Sequence, residues 1–219
     1  QALEEYSSFE EDDDAEPMGA ATAVETAAVV TTSSPVENET TKDTVVEETP
    51  REVLLRKAYN ELATKSISEA RIQIKKIFDE NASTPGVNRA ELRGILAALN
   101  AAKPEYEAVG LALVKQTQIA FKKITIAGKT FEVKALAYAN GEVICNARKV
   151  GSVETRKITI PLNKASAAEL YNILRTEPDG SKEMLITKSL LALRANNRGD
   201  FLRHSKSIKA LQAFSKFVK

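Results

Sequence analysis

The spacing of apolar residues changes period twice along this chain, and that change limits the fold more than any other feature. Between residues 50 and 121 apolar side chains recur at helical spacing, between 123 and 162 they alternate, and beyond 165 helical spacing returns. A helix must bury one stripe and a half-wet sheet one face, so the pattern predicts an α+β fold in which helices cover one side of an antiparallel sheet. Residues 1–48 sustain neither period. They hold an acid run, Glu10, Glu11, Asp12, Asp13 and Asp14, and then a stretch rich in Ala, Thr, Val and Ser. This composition cannot bury enough apolar surface to offset the entropy of ordering it, so residues 1–49 are expected to be a disordered or extended acidic arm.

The start of the folded body is legible in four residues. Thr49-Pro50-Arg51-Glu52 reads as a capping box with Pro at the first helical position. Leu54, Leu55, Ala58, Tyr59 and Leu62 follow as a buried stripe. A second helix is expected over about 68–80 with Ala70, Ile74, Ile77 and Phe78 inward, stopping before Ser83-Thr84-Pro85-Gly86. Asn88 caps a third, carrying Leu92, Ile95, Leu96 and Leu99, and Pro104 opens a fourth that runs to about Phe121. Residues 50–121 thus read as a four-helix unit.

Residues 122–219 read as a sheet followed by basic helices, either a second unit or one domain with the helical unit. Ile124 and Ile126 alternate, Ala127-Gly128-Lys129 turns, and Phe131, Val133, Ala135 and Ala137 fall on one face. Asn140-Gly141 is a strong hairpin signal leading into Val143, Cys145 and Ala147, and a fourth strand is plausible over 157–162. Together these predict a meander of three or four strands whose outer face carries Lys123, Lys134, Arg148 and Lys157, a face that sheets of this kind often leave solvated. Helices then follow Ser166 and Ser181, a break is expected at Asn196-Asn197-Arg198-Gly199, and a last amphipathic helix is expected over roughly 205–218.

Charge is divided between these parts. Residues 1–50 hold 14 Asp and Glu against one Lys, a net of −13, whereas residues 51–219 hold 30 Lys and Arg against 16 acids, a net of +14. A body this basic seeks phosphates or acidic protein, and the arm competes for the same surface. The last 39 residues carry nine basic side chains against Glu183 and Asp200. Arg194, Arg198 and Arg203, with Lys206, Lys209 and Lys216, are therefore the candidate polyanion-binding residues, suited to nonspecific phosphate contact. Solvated surface and docking of acidic protein subunits compete with that reading. In the arm, Tyr6 and Phe9 stand beside the acid run, a pattern that can dock rings on apolar spots while carboxylates meet cations.

Catalysis is not expected. The sole histidine, His204, lies on an apolar helix side, and the sole cysteine, Cys145, has the inward phase of its strand, which predicts an inert thiol. No phosphate loop, nucleophile elbow or metal-ligand spacing appears, and no cofactor is expected. No membrane partner is expected either: no apolar run is long enough to span a bilayer, there is no signal-peptide pattern, and Trp is absent. The chain opens on Gln1, which fits a trimmed sequence or a proteolytically processed one. The expectation is a non-catalytic structural or assembly protein, such as a matured minor or internal protein of a virus or phage head, a setting that admits multi-copy assembly, with the arm as tether. The alternative is a cellular nucleic-acid-binding module autoinhibited by its acidic tail. Multi-copy assembly favours the first, and monomeric behaviour with steeply salt-dependent binding the second.

Overall fold

The computed structural model describes residues 48–218, so the expectations for the arm, Tyr6 and Phe9 included, lie outside the described residues. The chain runs α1 (Pro50–Thr64), α2 (Ile67–Asn81), α3 (Arg89–Ala101), α4 (Glu105–Gln116), β1 (Lys122–Ile126), β2 (Lys129–Ala139), β3 (Glu142–Arg148), β4 (Arg156–Pro161), a 3₁₀ turn (Leu162–Lys164), α5 (Ala167–Leu174), α6 (Lys182–Arg194), α7 (Arg198–Ser205) and a 3₁₀ helix (Lys209–Phe214). The fold is α+β, with a four-stranded antiparallel sheet in the order β1-β2-β3-β4. No helix among the described residues is long and apolar enough to cross a membrane.

Side-chain caps define most of the helix starts. Thr49 closes the expected box with Glu52, and Ser166 does the same with Glu169. α2 begins earlier than its apolar stripe suggested, because Ser66 and Glu69 form a third capping box ahead of Ile67. Helix α4 ends at Gln116, five residues short of the expected end. There Thr117 leaves the helix, its hydroxyl donating to Leu113 O at 2.8 Å and accepting from the Ala135 amide at 2.8 Å.

That contact lies at a β-bulge. Ala135 pairs with Cys145 but Ala137 pairs with Ile144, leaving Leu136 as the extra residue on β2. A one-residue insertion reverses which face every later side chain takes. Ala137, expected inward with Val133 and Ala135, is therefore turned out, and Tyr138 points inward opposite Val143. Both preceding hairpins use two central residues of positive φ, Ala127-Gly128 and Asn140-Gly141, the twist that suits two-residue hairpin loops. Helix α4 lies against β2 and β3 on the inner face, and α5 lies beside β1. The inner face and the helices share one core, including Phe78, Leu113, Val133, Val143, Leu162, Leu174, Leu190, Phe201 and Phe214.

The C-terminal end departs from expectation. The break after α6 falls at Asn196-Asn197 as expected, but α7 starts at once from Arg198, and no single helix covers 205–218: the chain turns after Ser205 and continues as a 3₁₀ helix. Asn196 takes φ 52°, and the Asn197 side chain caps α7 by accepting from the Asp200 amide. Ile208, Leu211 and Phe214 are all buried and fall three residues apart, a spacing that eclipses side chains on a three-residue turn but drifts around an α-helix.

The approach of α4 to β2 leaves no room at Gly110, where a Cβ would stand 2.1 Å from Cδ2 of the Tyr138 ring. Gly110→Ala is expected to destabilise the fold by about 1–3 kcal/mol through overpacking, offset in part by Tyr138→Ala. Thermal unfolding of the single and double variants checks this coupling.

Candidate polyanion-binding surface

The six candidate residues do not form one surface. Arg194 ends α6 with its side chain only 13% exposed, and its Nη1 lies 2.5 Å from Glu105 Oε2. Glu105 opens α4, is itself buried, and also accepts from the Ile67 amide at 3.1 Å. One carboxylate therefore ties the starts of α2 and α4 to the end of α6. A buried arginine held this way is a structural ion pair, and it corrects the reading of Arg194 as part of an exposed basic patch.

Two further candidates are exposed but engaged. Lys216 pairs with Glu52 and lies 5.2 Å from the Phe217 ring centroid. This contact, with the Thr49 bonds, holds the Glu52 carboxyl down to about 2. Arg203 pairs with Asp200 at 2.9 Å. That leaves Arg198, Lys206 and Lys209 exposed and without an ion-pair partner among the described residues. Phe201, His204 and Ser205 mark the buried side of α7, and at 100° per residue Gly199, Arg203 and Lys206 lie opposite it, while Arg198 stands exposed at the helix's first turn. Lys209 instead opens on a cleft of about 890 Å³ beside Arg51, Asn88, Glu91 and Gln212. Within that cleft Arg51 is taken by Glu91, with Nε 2.7 Å from Oε2 and Nη2 2.5 Å from Oε1.

The outer face of the sheet carries its four expected cations. Lys123, Glu132 and Arg148 form one cross-strand row, and Lys134, Asn146 and Lys157 the next. Arg148 bonds Glu132 through Nε at 2.6 Å and stacks over the Phe121 ring at 4.5 Å. Glu132 was absent from the sequence reading although the alternation places it on this face; it neutralises Arg148 and leaves Lys123, Lys134 and Lys157 unpaired among the described residues.

A polar cluster lies beneath the 177–181 loop. Lys188 is 1% exposed, and its ammonium donates to Glu177 O and to Asp179 Oδ1, the latter at 2.8 Å. The Asp179 carboxyl is held below its ordinary range, chiefly by Lys188. His204 Nε2 lies 3.1 Å from the Tyr171 hydroxyl and 3.3 Å from Arg203 Nη2. Guanidinium can only donate, so Nε2 accepts and the imidazole proton sits on Nδ1, 3.8 Å from Asp179 Oδ1. Burial, then the nearby Arg203, lowers the His204 pKa. Cys145 is fully buried and its thiol is pushed up to about 12 by that burial, an unreactive state. The buried role of Lys188 was not visible as periodicity, though the acid in the turn just before Ser181 was its local signal.

No protein-family model, curated protein sequence or solved structure matches this chain.

Two outcomes separate structural from surface cations. Arg194→Ala is expected to cost about 3–5 kcal/mol, because it strands a buried carboxylate, whereas Arg198→Ala stays within about 0.5 kcal/mol; denaturant unfolding measures both. Acid should also weaken the C-terminal packing. The folded His204 resists protonation beside Lys188 and Arg203, whereas the unfolded chain takes up its proton as pH falls below about 6.5. Stability contributed by neutral His204 is therefore lost as pH falls from there toward its depressed folded value. Asp179, lowered in the folded state by Lys188, adds a further loss at more acid pH. His204→Gln is expected to flatten the upper part of a stability–pH profile and leave the lower part.

Proposed function

We propose that this is a non-catalytic structural or assembly protein whose basic body contacts nucleic acid or acidic subunits and whose acidic arm tethers it to its neighbours. The observation that supports the reading best is the use of carboxylates within the body. Glu61, Asp79, Glu80, Glu91, Glu105, Glu132, Glu177, Asp179 and Asp200 are each paired with a cation, and Glu69, Glu169 and Glu183 bond at helix starts. The excess of positive charge is left largely as exposed side chains, among them Arg198, Lys206, Lys209, Lys123 and Lys157, with Lys134 half-buried between the last two. Such cations bind phosphates as separate point charges, without base readout, and fit a protein packed beside condensed nucleic acid, as inside a virus or phage head.

Full-length protein titrated with duplex and single-stranded DNA across salt tests this. Affinity is expected to fall steeply with salt, and replacing Arg198, Lys206 and Lys209 together by Ala to make the log–log slope shallower by up to about 3. Arg194→Gln, by contrast, should leave the slope unchanged. Binding that is absent at low salt, or unmoved by the triple substitution, overturns the assignment of these cations to nucleic acid.

A further inference from the structure

An arginine that crosses the open face of the sheet gives that face a planar centre. Arg148 belongs to β3, yet its guanidinium bonds Glu132 on β2 through Nε at 2.6 Å and lies over Phe121, the residue just before β1, at 4.5 Å from the ring centroid. The side chain therefore spans three strands, with two anchors holding its head and 30% of it still exposed. Its charge is spent on Glu132, so what it and the half-buried Phe121 ring present is a π-bearing plane more than a free cation. Three lysines surround that plane. Lys123 stands in its cross-strand row, and Lys134 and Lys157 flank Asn146 in the next, none of them with an ion-pair partner among the described residues. Beyond them lies an apolar end, where Leu136 is 48% exposed and Ile144 half-buried.

We propose that this face binds single-stranded nucleic acid, with an unpaired base stacked on the Arg148–Phe121 pair and phosphates on Lys123, Lys134 and Lys157. The proposal rests on the nucleic-acid branch of the reading above and names the form of the polymer and the face that takes it. Charge complementarity selects a polyanion, because the one carboxylate in these two rows, Glu132, is already neutralised. The plane selects its chemistry. An acidic peptide gains from the lysines alone, whereas a nucleotide brings a phosphate and an aromatic base together, and guanidinium and ring are both surfaces on which bases stack. A duplex is disfavoured here, since its bases already stack on one another and this face projects no helix or ribbon to enter a groove. Lys134 and Lys157 are separated by two strand spacings, about 10 Å, the rise of about three nucleotides at 3.4 Å each, so they reach different phosphates of one strand. Stacking tolerates any sequence because every base has a π-face, which agrees with contact that reads no base edges.

The test uses full-length protein and three probes of matched charge: an oligothymidylate, a strand of the same length made entirely of abasic sites, and polyglutamate. At one salt concentration the thymidylate is expected to bind about tenfold more tightly than the abasic strand. Arg148→Lys keeps a cation beside Glu132, and Phe121→Leu keeps apolar bulk. Each is expected to erase most of that preference while leaving affinity for the abasic strand within about twofold. Replacing Lys123, Lys134 and Lys157 together by Ala is expected to weaken both strands and make the log–log salt slope shallower by up to about 2, at roughly 0.7 per cation. Equal affinity for the thymidylate and the abasic strand overturns the proposal, as does a preference that neither planar substitution reduces. Polyglutamate that binds as tightly as the thymidylate, and is weakened by the same lysine substitution, assigns the face to acidic protein and overturns it too. Duplex titration of the Arg198, Lys206 and Lys209 variant scores the preceding reading separately. A base preference that persists where duplex binding is absent sinks the C-terminal assignment alone, and duplex binding that responds to that variant with no base preference sinks this one alone.

Discussion

Helix α6 is the one element around which the rest must be arranged, because eight consecutive residues, Ile186, Thr187, Lys188, Ser189, Leu190, Leu191, Ala192 and Leu193, are all buried. More than two turns closed off on every side require neighbours all round, and α1, α3, α4, α5 and α7 supply them. The helix is not apolar all round, so each polar side chain dictates what stands opposite. The Thr187 hydroxyl accepts from the Lys103 amide at 2.9 Å and donates to Glu183 O at 3.0 Å. Ser189 donates to Leu185 O, and Lys188 fixes the 177–181 loop over its ammonium. Arg194, at the end, reaches Glu105 and through it the start of α2. Unpartnered, any of these groups would carry its desolvation cost; partnered, each fixes the position of a different segment.

The sheet is attached to that helical framework through α4, and the attachment depends on an irregularity. Without the Leu136 bulge, Ala137 would face α4 and Tyr138 would face water. With it, the Tyr138 ring crosses the helix at Gly110, and Thr117 receives the Ala135 amide where the helix stops. A glycine in a helix interior costs about 1 kcal/mol relative to alanine, a cost consistent here with the close approach it permits. The same bulge turns Leu136 and Ala137 outward, so the feature that docks the inner face also creates the apolar end of the outer one.

Much of this was legible in the sequence, and the exceptions share a cause. Capping boxes at Thr49 and Ser166, the hairpin at Asn140-Gly141 and the alternation of Val143, Cys145 and Ala147 are local signals, fixed by neighbours within a few residues. The early end of α4 was not legible, because Thr117 is claimed by Ala135, a residue on another element. The 205–218 segment misled for a related reason: Ile208, Leu211 and Phe214 satisfy an α-helical and a three-residue period nearly equally over so short a run. Among the candidate site residues, Arg194 looked like its basic neighbours because formal charge carries no information about burial. Only Glu105, 89 residues away in sequence, distinguishes it from Arg198.

The division of charge also has a consequence for competition on the proposed reading. A run of successive acids in an extended segment presents one charge per roughly 3.3 Å, close to the 3.4 Å of one nucleic-acid strand, whereas a duplex presents one per about 1.7 Å. An acidic peptide and a single strand are thus near-equal rivals for separated lysines. A duplex has twice the linear charge and a condensed counterion atmosphere to release, and it gains most from exposed cations without an acidic neighbour, such as Arg198 and Lys206. On the proposed function, the unpaired lysines of the sheet and the cations of the C-terminal segment are therefore separate contacts, each weighed by the linear charge of the polyanion that meets it.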